Sequence, residues 1–475
     1  MTHRRLFLIA TSAIALSALG FGIARARDVP QVATGFVASL LCAETFVSRL
    51  DPGPVLAETT DAMPGSWLLT SSMTTHVDRV TREVTVSLLG VGRSRAVYRD
   101  GVGCTLDHGD GIAKVTVSSD ERAPPLLPEI APSSLVASAT PELSAALDRA
   151  FAEPDAPPFR HTHAVVVVKD GRVIAERYAN GYGVDTQLLG FSATKSVISA
   201  LIGILVREHK LVPHGPVPVT VWQSPDDPRH AITVDQLLRH TAGLALGSSL
   251  EASLLSALEP VNRMLGESDM AAFAEGFPLA TAPGTAWNYH DGNYLILSQL
   301  IRNASGSAPD DALRFARHEL FAPLGMDHVT LQVDASGTVE GSGQMLASAR
   351  DWARFGLLYL NDGLVGGKRI LPEGWVNYSA APTPNAFVGY GAGFWTNRDD
   401  SFGARHRITH GWPRDAFFAK GTMGQYVIVI PSEHLVITRF GRTVNWPLDA
   451  DGVSQLVSDV VKATKGMKMA GAGSD

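Results

Sequence analysis

Ser192 and Lys195 stand three residues apart in Phe191-Ser192-Ala193-Thr194-Lys195. On a helix that spacing puts a hydroxyl and an amine on one face. From Val197 to Val206 the chain is apolar nearly all round, as a buried helix is. The pair then opens a core helix, at the end where backbone N–H groups are unpaired. A lysine in that place needs a partner or a purpose. The helix dipole and nearby cations favour its neutral form, and a neutral amine can take a serine proton. The implied chemistry is nucleophilic attack by Ser192 with Lys195 as base. The plainer alternative is an N-cap serine followed by a solvated lysine.

The elements around that pair span 475 residues, room for two or three domains. The net charge of −7 gives no reason to expect nucleic acid or an anionic surface as partner. Residues 1–26 read as a signal peptide. Arg4 and Arg5 precede an apolar run from Leu6 to Ile23, and Ala24-Arg25-Ala26 offers a cleavage site. The paired arginines are similar to a twin-arginine signal. Export to the periplasm or medium is expected, with no stable membrane span after cleavage; an uncleaved anchor is the alternative. Two cysteines, Cys42 and Cys104, would meet an oxidising compartment, so one disulfide between them is expected.

Residues 27–120 read as a small N-terminal α/β unit. It has a helix over 36–50 and strands over 82–89 and 95–98, and it carries no chemical motif. Residues 121–139 form a Pro-rich linker, and 140–465 a second domain. Within it His163 to Val168 and Val173 to Tyr178 read as a hairpin around Asp170-Gly171. Thr233 and Gln236 open a helix with a capping box, and Ser348 caps a helix running through Leu360. Gly389 to Trp395 reads as a Gly/aromatic strand. Gln425 to Pro431 and Leu435 to Phe440 read as paired strands, and Val453 to Thr464 as a last helix. Residues 466–475 read as a frayed tail. Strands at both ends with helices between them imply one antiparallel sheet flanked by helices, with an all-helical insert.

Four segments agree in order and spacing with a known family. They are Phe191 to Lys195, Ile232 to Leu244, Pro283-Gly284-Thr285-Ala286-Trp287-Asn288-Tyr289, and Gly343 to Asp351. Together they resemble the serine hydrolases related to class C β-lactamases, penicillin-binding proteins and family VIII esterases. Gly421-Thr422-Met423-Gly424-Gln425 is most similar to the 6-aminohexanoate-dimer hydrolase branch. The resemblance implies an α+β, β-lactamase/transpeptidase-like fold with Ser192 as nucleophile, Lys195 as general base and Tyr289 as proton carrier to the leaving group. It implies an oxyanion hole from the backbone N–H groups of Ser192 and Thr422, and a substrate site including Asp291, Tyr390, Trp395 and Gln425.

Two positions depart from the family. Its Tyr-x-Asn is here Tyr289-His290-Asp291, and a carboxylate there favours a charged Lys195 or a cationic substrate group. Its Lys-Thr-Gly is here Ala419-Lys420-Gly421, a cation displaced by one position, which in a strand reverses its facing. The expected function is therefore an exported serine hydrolase that cleaves a small amide or ester through an acyl-enzyme. A β-lactamase or D,D-peptidase is the rival in chemistry, and an inactive binding protein on the same fold the rival in class. No clustered Cys/His set and no His-Glu-x-x-His occurs, so no metal and no cofactor is expected. Oligomeric state is not legible.

Overall fold

The structure is a computed structural model that describes residues 28–115, 124–250, 258–306, 308–444, 450 and 452–467. The signal segment at 1–26 and the tail beyond 467 lie outside the described residues.

Helix α1 (Asp28–Val47) opens the chain, its last turn widened into a π-helix over Ala43–Val47. It is already helical eight residues before the expected helix, where Val32 and Thr34 face the core. Although α1 is long and apolar enough to cross a membrane, 72% of it is buried within the protein. Helix α2 (Pro52–Ala62) follows, capped by the Asp51 carboxylate, which accepts from the Gly53 N–H. Four antiparallel strands come next: β1 (Met73–Asp78), β2 (Glu83–Leu88), β3 (Gly92–Arg99) and β4 (Gly103–Asp107). The sequence pattern exposes β2 and β3, since β2 alternates buried and half-buried positions. It hides β1, a polar edge strand, and β4, a strand too short to show a period.

Cys42 and Cys104 are bonded, with Cα atoms 6.0 Å apart, tying α1 to β4. The bridge closes 62 residues, so its removal is expected to cost roughly 4 kcal/mol by chain entropy. Replacing both cysteines by alanine should lower the urea midpoint of the N-terminal unit under oxidising conditions. It should leave the midpoint unchanged in excess reductant.

The main sheet has six antiparallel strands. In chain order they are β5 (Thr162–Lys169), β6 (Arg172–Tyr178), β10 (Trp395–Thr396), β11 (Phe417–Gly421), β12 (Gln425–Ile430) and β13 (Leu435–Gly441). In space the order is β10-β11-β12-β13-β5-β6, so the sheet is built from the two ends of the domain. The numbers between belong to three short strands of a second sheet: β7 (Gln187–Leu189), β8 (Val329–Leu331) and β9 (Met345–Ser348). Strands β5 and β13 are buried on both faces, which is why His163 to Val168 reads as an unbroken apolar run.

Val165 and Val167 face α3 (Pro141–Phe151) and α7 (Val453–Thr464). Val166 and Val168 face the opposite layer, where α4 (Thr194–Arg207) and α6 (Ala349–Leu360) lie. Helix α5 (Gly292–Ser305) packs on α4 from the helical insert. The capping box at Thr233 and Gln236 forms, and Ser348 caps α6 by accepting from the Asp351 N–H. The expected strand over 389–395 is instead a reversal, with Tyr390 bridged to Trp395 and only Trp395–Thr396 joining the sheet. Gly389, Gly391 and Gly393 bend the chain there in place of extending it.

Candidate active site

Strand β7 leads directly to the serine. Leu189 pairs with Leu346 of β9, and the Gly190 N–H donates to the Met345 carbonyl at 2.9 Å. A side chain at Gly190 would strike the Trp352 ring, so glycine is needed there. Phe191 then has φ +44°, a left-handed conformation that costs a bulky residue about 1–3 kcal/mol. Ser192 lies in a short 3₁₀ turn (Phe191–Ala193), not on the α-helix itself, and α4 begins two residues later.

Lys195 is fully buried. Its Nζ donates to Ser192 Oγ at 3.0 Å, to Asp291 Oδ1 at 2.5 Å and to the Ser342 carbonyl at 2.7 Å. Three acceptors match the three donors of an ammonium. Burial pulls the lysine down, but the Asp291 charge and hydrogen bond, with Tyr289 beside it, lift it net above its ordinary value. Of the two influences read from the sequence, the Asp291 carboxylate outweighs the helix end, and the charged form of Lys195 is the favoured one at rest. Asp291 precedes α5 but caps nothing, its side chain being turned to Lys195.

Tyr289 is buried, and its hydroxyl interacts with Ser192 and Lys195. Burial raises its phenol above the usual value, with the Lys195 charge opposing, so the group is a neutral donor. Lys195 Nζ sits 5.0 Å from the centre of its ring. His240 packs 4.4 Å from that ring, held by Asn293 Nδ2 at 3.2 Å from His240 Nδ1. Burial, with His290 and Lys195 adding, drives His240 well below its ordinary value, so it is a neutral spacer.

Thr422 begins the turn between β11 and β12. A side chain at Gly421 would strike the Gly190 carbonyl, so this turn is pressed against the serine loop. The Thr422 Oγ1 is buried without a hydrogen-bond partner among the described residues. A cavity of about 220 Å³ opens beside Ser192, and Thr422, Asp291, Ser249, Glu340, Ser342 and Gln344 line it.

Three expected substrate residues do not line this cavity. Tyr390 and Trp395 are buried behind Tyr289, with rings 5.7 and 5.9 Å from its ring, because the 389–395 reversal folds them into the core. Gln425 is spent internally: its amide nitrogen donates to the carbonyls of Thr422, Met423 and Gly441, and its oxygen accepts from the Gly441 N–H. It shapes the turn that carries Thr422. Lys420 is buried and does not line this cavity, its Nζ lying 4.9 Å from the Trp395 ring centre and 5.7 Å from that of Tyr426. Sequence reasoning missed Glu340 and the N-terminal lining residues. An acidic residue inside the Gly-rich stretch Glu340-Gly341-Ser342-Gly343 was the available signal for the former. The latter carry none, being ordinary apolar helix positions.

Comparison with known proteins bears on the family and the fold. The family model described as Beta-lactamase matches residues 147–461. A 6-aminohexanoate-dimer hydrolase of Paenarthrobacter ureafaciens is 26% identical over 223 residues, 45% of this chain and 56% of that protein. The chain thus spans little more than half the length of that relative. A penicillin-binding protein homologue from Caulobacter crescentus superposes with a TM-score of 0.52 at 16% identity, over 70% of this chain and 100% of that one. A family VIII carboxylesterase does so with a TM-score of 0.51 at 14% identity, over 69% and 99%. With the match covering about two thirds of its length, the chain belongs to the Beta-lactamase family and has the β-lactamase/transpeptidase-like fold.

Proposed function

We propose that the protein hydrolyses an amide or ester through an acyl-enzyme on Ser192, with Lys195, Asp291 and Tyr289 moving protons. The supporting observation is the line Ser192 Oγ, Lys195 Nζ and Asp291 Oδ1, with steps of 3.0 and 2.5 Å. A charged Lys195 cannot accept a proton. When substrate fills the cavity and displaces water, Lys195 passes a proton to Asp291, since a neutral pair tolerates a dry site better than an ion pair does. The amine then takes the Ser192 proton as Oγ bonds to the carbonyl carbon. The carbonyl oxygen gains the negative charge and faces the Ser192 and Thr422 N–H groups. Tyr289 gives its proton to the departing nitrogen or oxygen as that bond breaks, and Lys195 re-protonates Tyr289. Water attacks the acyl carbon next, releasing a carboxylic acid and restoring the serine hydroxyl.

The lining of the cavity weighs against β-lactamase or D,D-peptidase activity, because among the described residues no lysine or arginine lines it to hold a substrate carboxylate. Export is proposed on the N-terminal arginines and apolar run, and the Cys42–Cys104 bond is in keeping with it. A fluorophosphonate probe tests the central claim. The wild type should label at Ser192 and turn over p-nitrophenyl esters, while leaving nitrocefin essentially intact. Ser192→Ala should not label. Labelling that survives in Ser192→Ala, or none in the wild type, would refute the reading.

A further inference from the structure

The cavity beside Ser192 has a wall that lies outside the matched domain. Val32, Phe36, Leu56 and Met63, all ahead of residue 147, face the side that carries Ser192 and Thr422. This wall is anchored. The disulfide holds α1 to β4, and the Cys104 N–H donates to Gln332 Oε1 at 2.5 Å. Arg442, just after β13, reaches Glu44 at 2.9 Å and Glu58 at 3.4 Å. The residues assigned to the acyl carbon and its oxygen line the cavity, whereas Tyr289, assigned to the leaving group, does not. The cavity is thus on the acyl side.

Its charge is low. Asp291 is matched by Lys195. Glu340 is 4% exposed and its carboxyl has no hydrogen-bond partner among the described residues. Burial, with Asp334 adding, pushes that acid up to about 8, so it is uncharged at neutral pH.

We propose that the N-terminal unit is an acyl-binding element: it takes an uncharged, apolar acyl chain of short to medium length, and Glu340 determines specificity on the wall of its channel. This rests on the serine-hydrolase reading above. The cavity has room for several waters, which an alkyl chain would displace at a gain that grows with each methylene.

The test uses the full chain and p-nitrophenyl esters from acetate to dodecanoate. kcat/KM should rise roughly fourfold per added methylene until the cavity is full, then fall. Leu56→Trp should lower the hexanoate-to-acetate ratio at least tenfold. Should that variant misfold, the wild-type length profile still decides. The KM for hexanoate should climb as pH passes about 8, where Glu340 ionises, and stay level in Glu340→Gln. A flat length profile with Ser192 labelled normally would overturn this proposal alone. So would a tenfold preference for an ω-amino ester of equal length. Absence of labelling would overturn the hydrolase reading and this proposal together.

Discussion

Lys195→Met should retain no more than about one part in a thousand of wild-type kcat, the usual loss when a positioned proton carrier is removed. It should also be unstable. Removing the ammonium leaves Asp291 facing a fully buried position without its counter-ion, at a cost of about 3–5 kcal/mol. The double variant Lys195→Met/Asp291→Asn separates the two effects. Stability should return in a thermal melt, because no unpaired charge remains, while activity stays lost. Recovery of activity would exclude Lys195 as a proton carrier. Asp291→Asn alone leaves the lysine to its burial, so its pKa falls and the rising limb of kcat against pH should move to lower pH. The ion pair adds stability with a definite sign. Lys195 is held above its ordinary 10.5, so that contribution is full below 10.5 and fades only as pH climbs past the folded value.

Arg442→Met should loosen the N-terminal unit from the hydrolase domain. Glu44 is raised by burial and pulled back down by Arg442; without the guanidinium it stays buried and alone, again at about 3–5 kcal/mol. Glu58 bridges the same arginine to His163, whose Nε2 lies 2.8 Å away. Burial outweighs the Glu58 contact and lowers His163 from 6.5 to about 4. The unfolded chain then binds more protons between those values, so stability falls as pH drops from 6.5 toward 4 and levels below that. The loss is roughly 3 kcal/mol. Burial raises Glu58, but His163 and Arg442 bring it below its ordinary value, so its own contribution is lost on the acid side too. Melting temperature against pH should show this slope in the wild type and a shallower one in His163→Gln. Hydrogen exchange in α1 and α2 should rise in Arg442→Met before exchange in the main sheet does.

Much of the hydrolase domain was legible because its signals are local. Apolar periodicity marked α4 and α7, the Asp170-Gly171 turn marked the β5–β6 hairpin, and Thr233 and Ser348 announced their caps. The chemistry at Ser192 and Lys195 was legible as a pair, and Asp291 in place of the family's amide pointed to a charged Lys195, but which of the opposing influences wins was not. That charge depends on Asp291, ninety-six residues away, turning its carboxylate inward. The aromatic reversal at 389–395 was misread because alternating glycines mimic a strand period while permitting bends no strand makes. The N-terminal lining of the cavity left no trace, since Val32 and Leu56 look like any helix residues until another domain is packed against them. Glu340 likewise acquires its properties only from what surrounds it.

The pairing of β5 with β13 sets a timetable for the nascent polypeptide. These two neighbouring interior strands of the sheet are among the first and last segments of the domain to be made. Until the C-terminal hairpin arrives, β5 and β6 are a bare two-stranded ribbon, and the Thr422 turn that abuts Ser192 does not exist. Such distant pairing folds slowly. A chain still emerging from its ribosome therefore holds Ser192 without the backbone of the Thr422 turn beside it, and the site is assembled only when the last strands have been made.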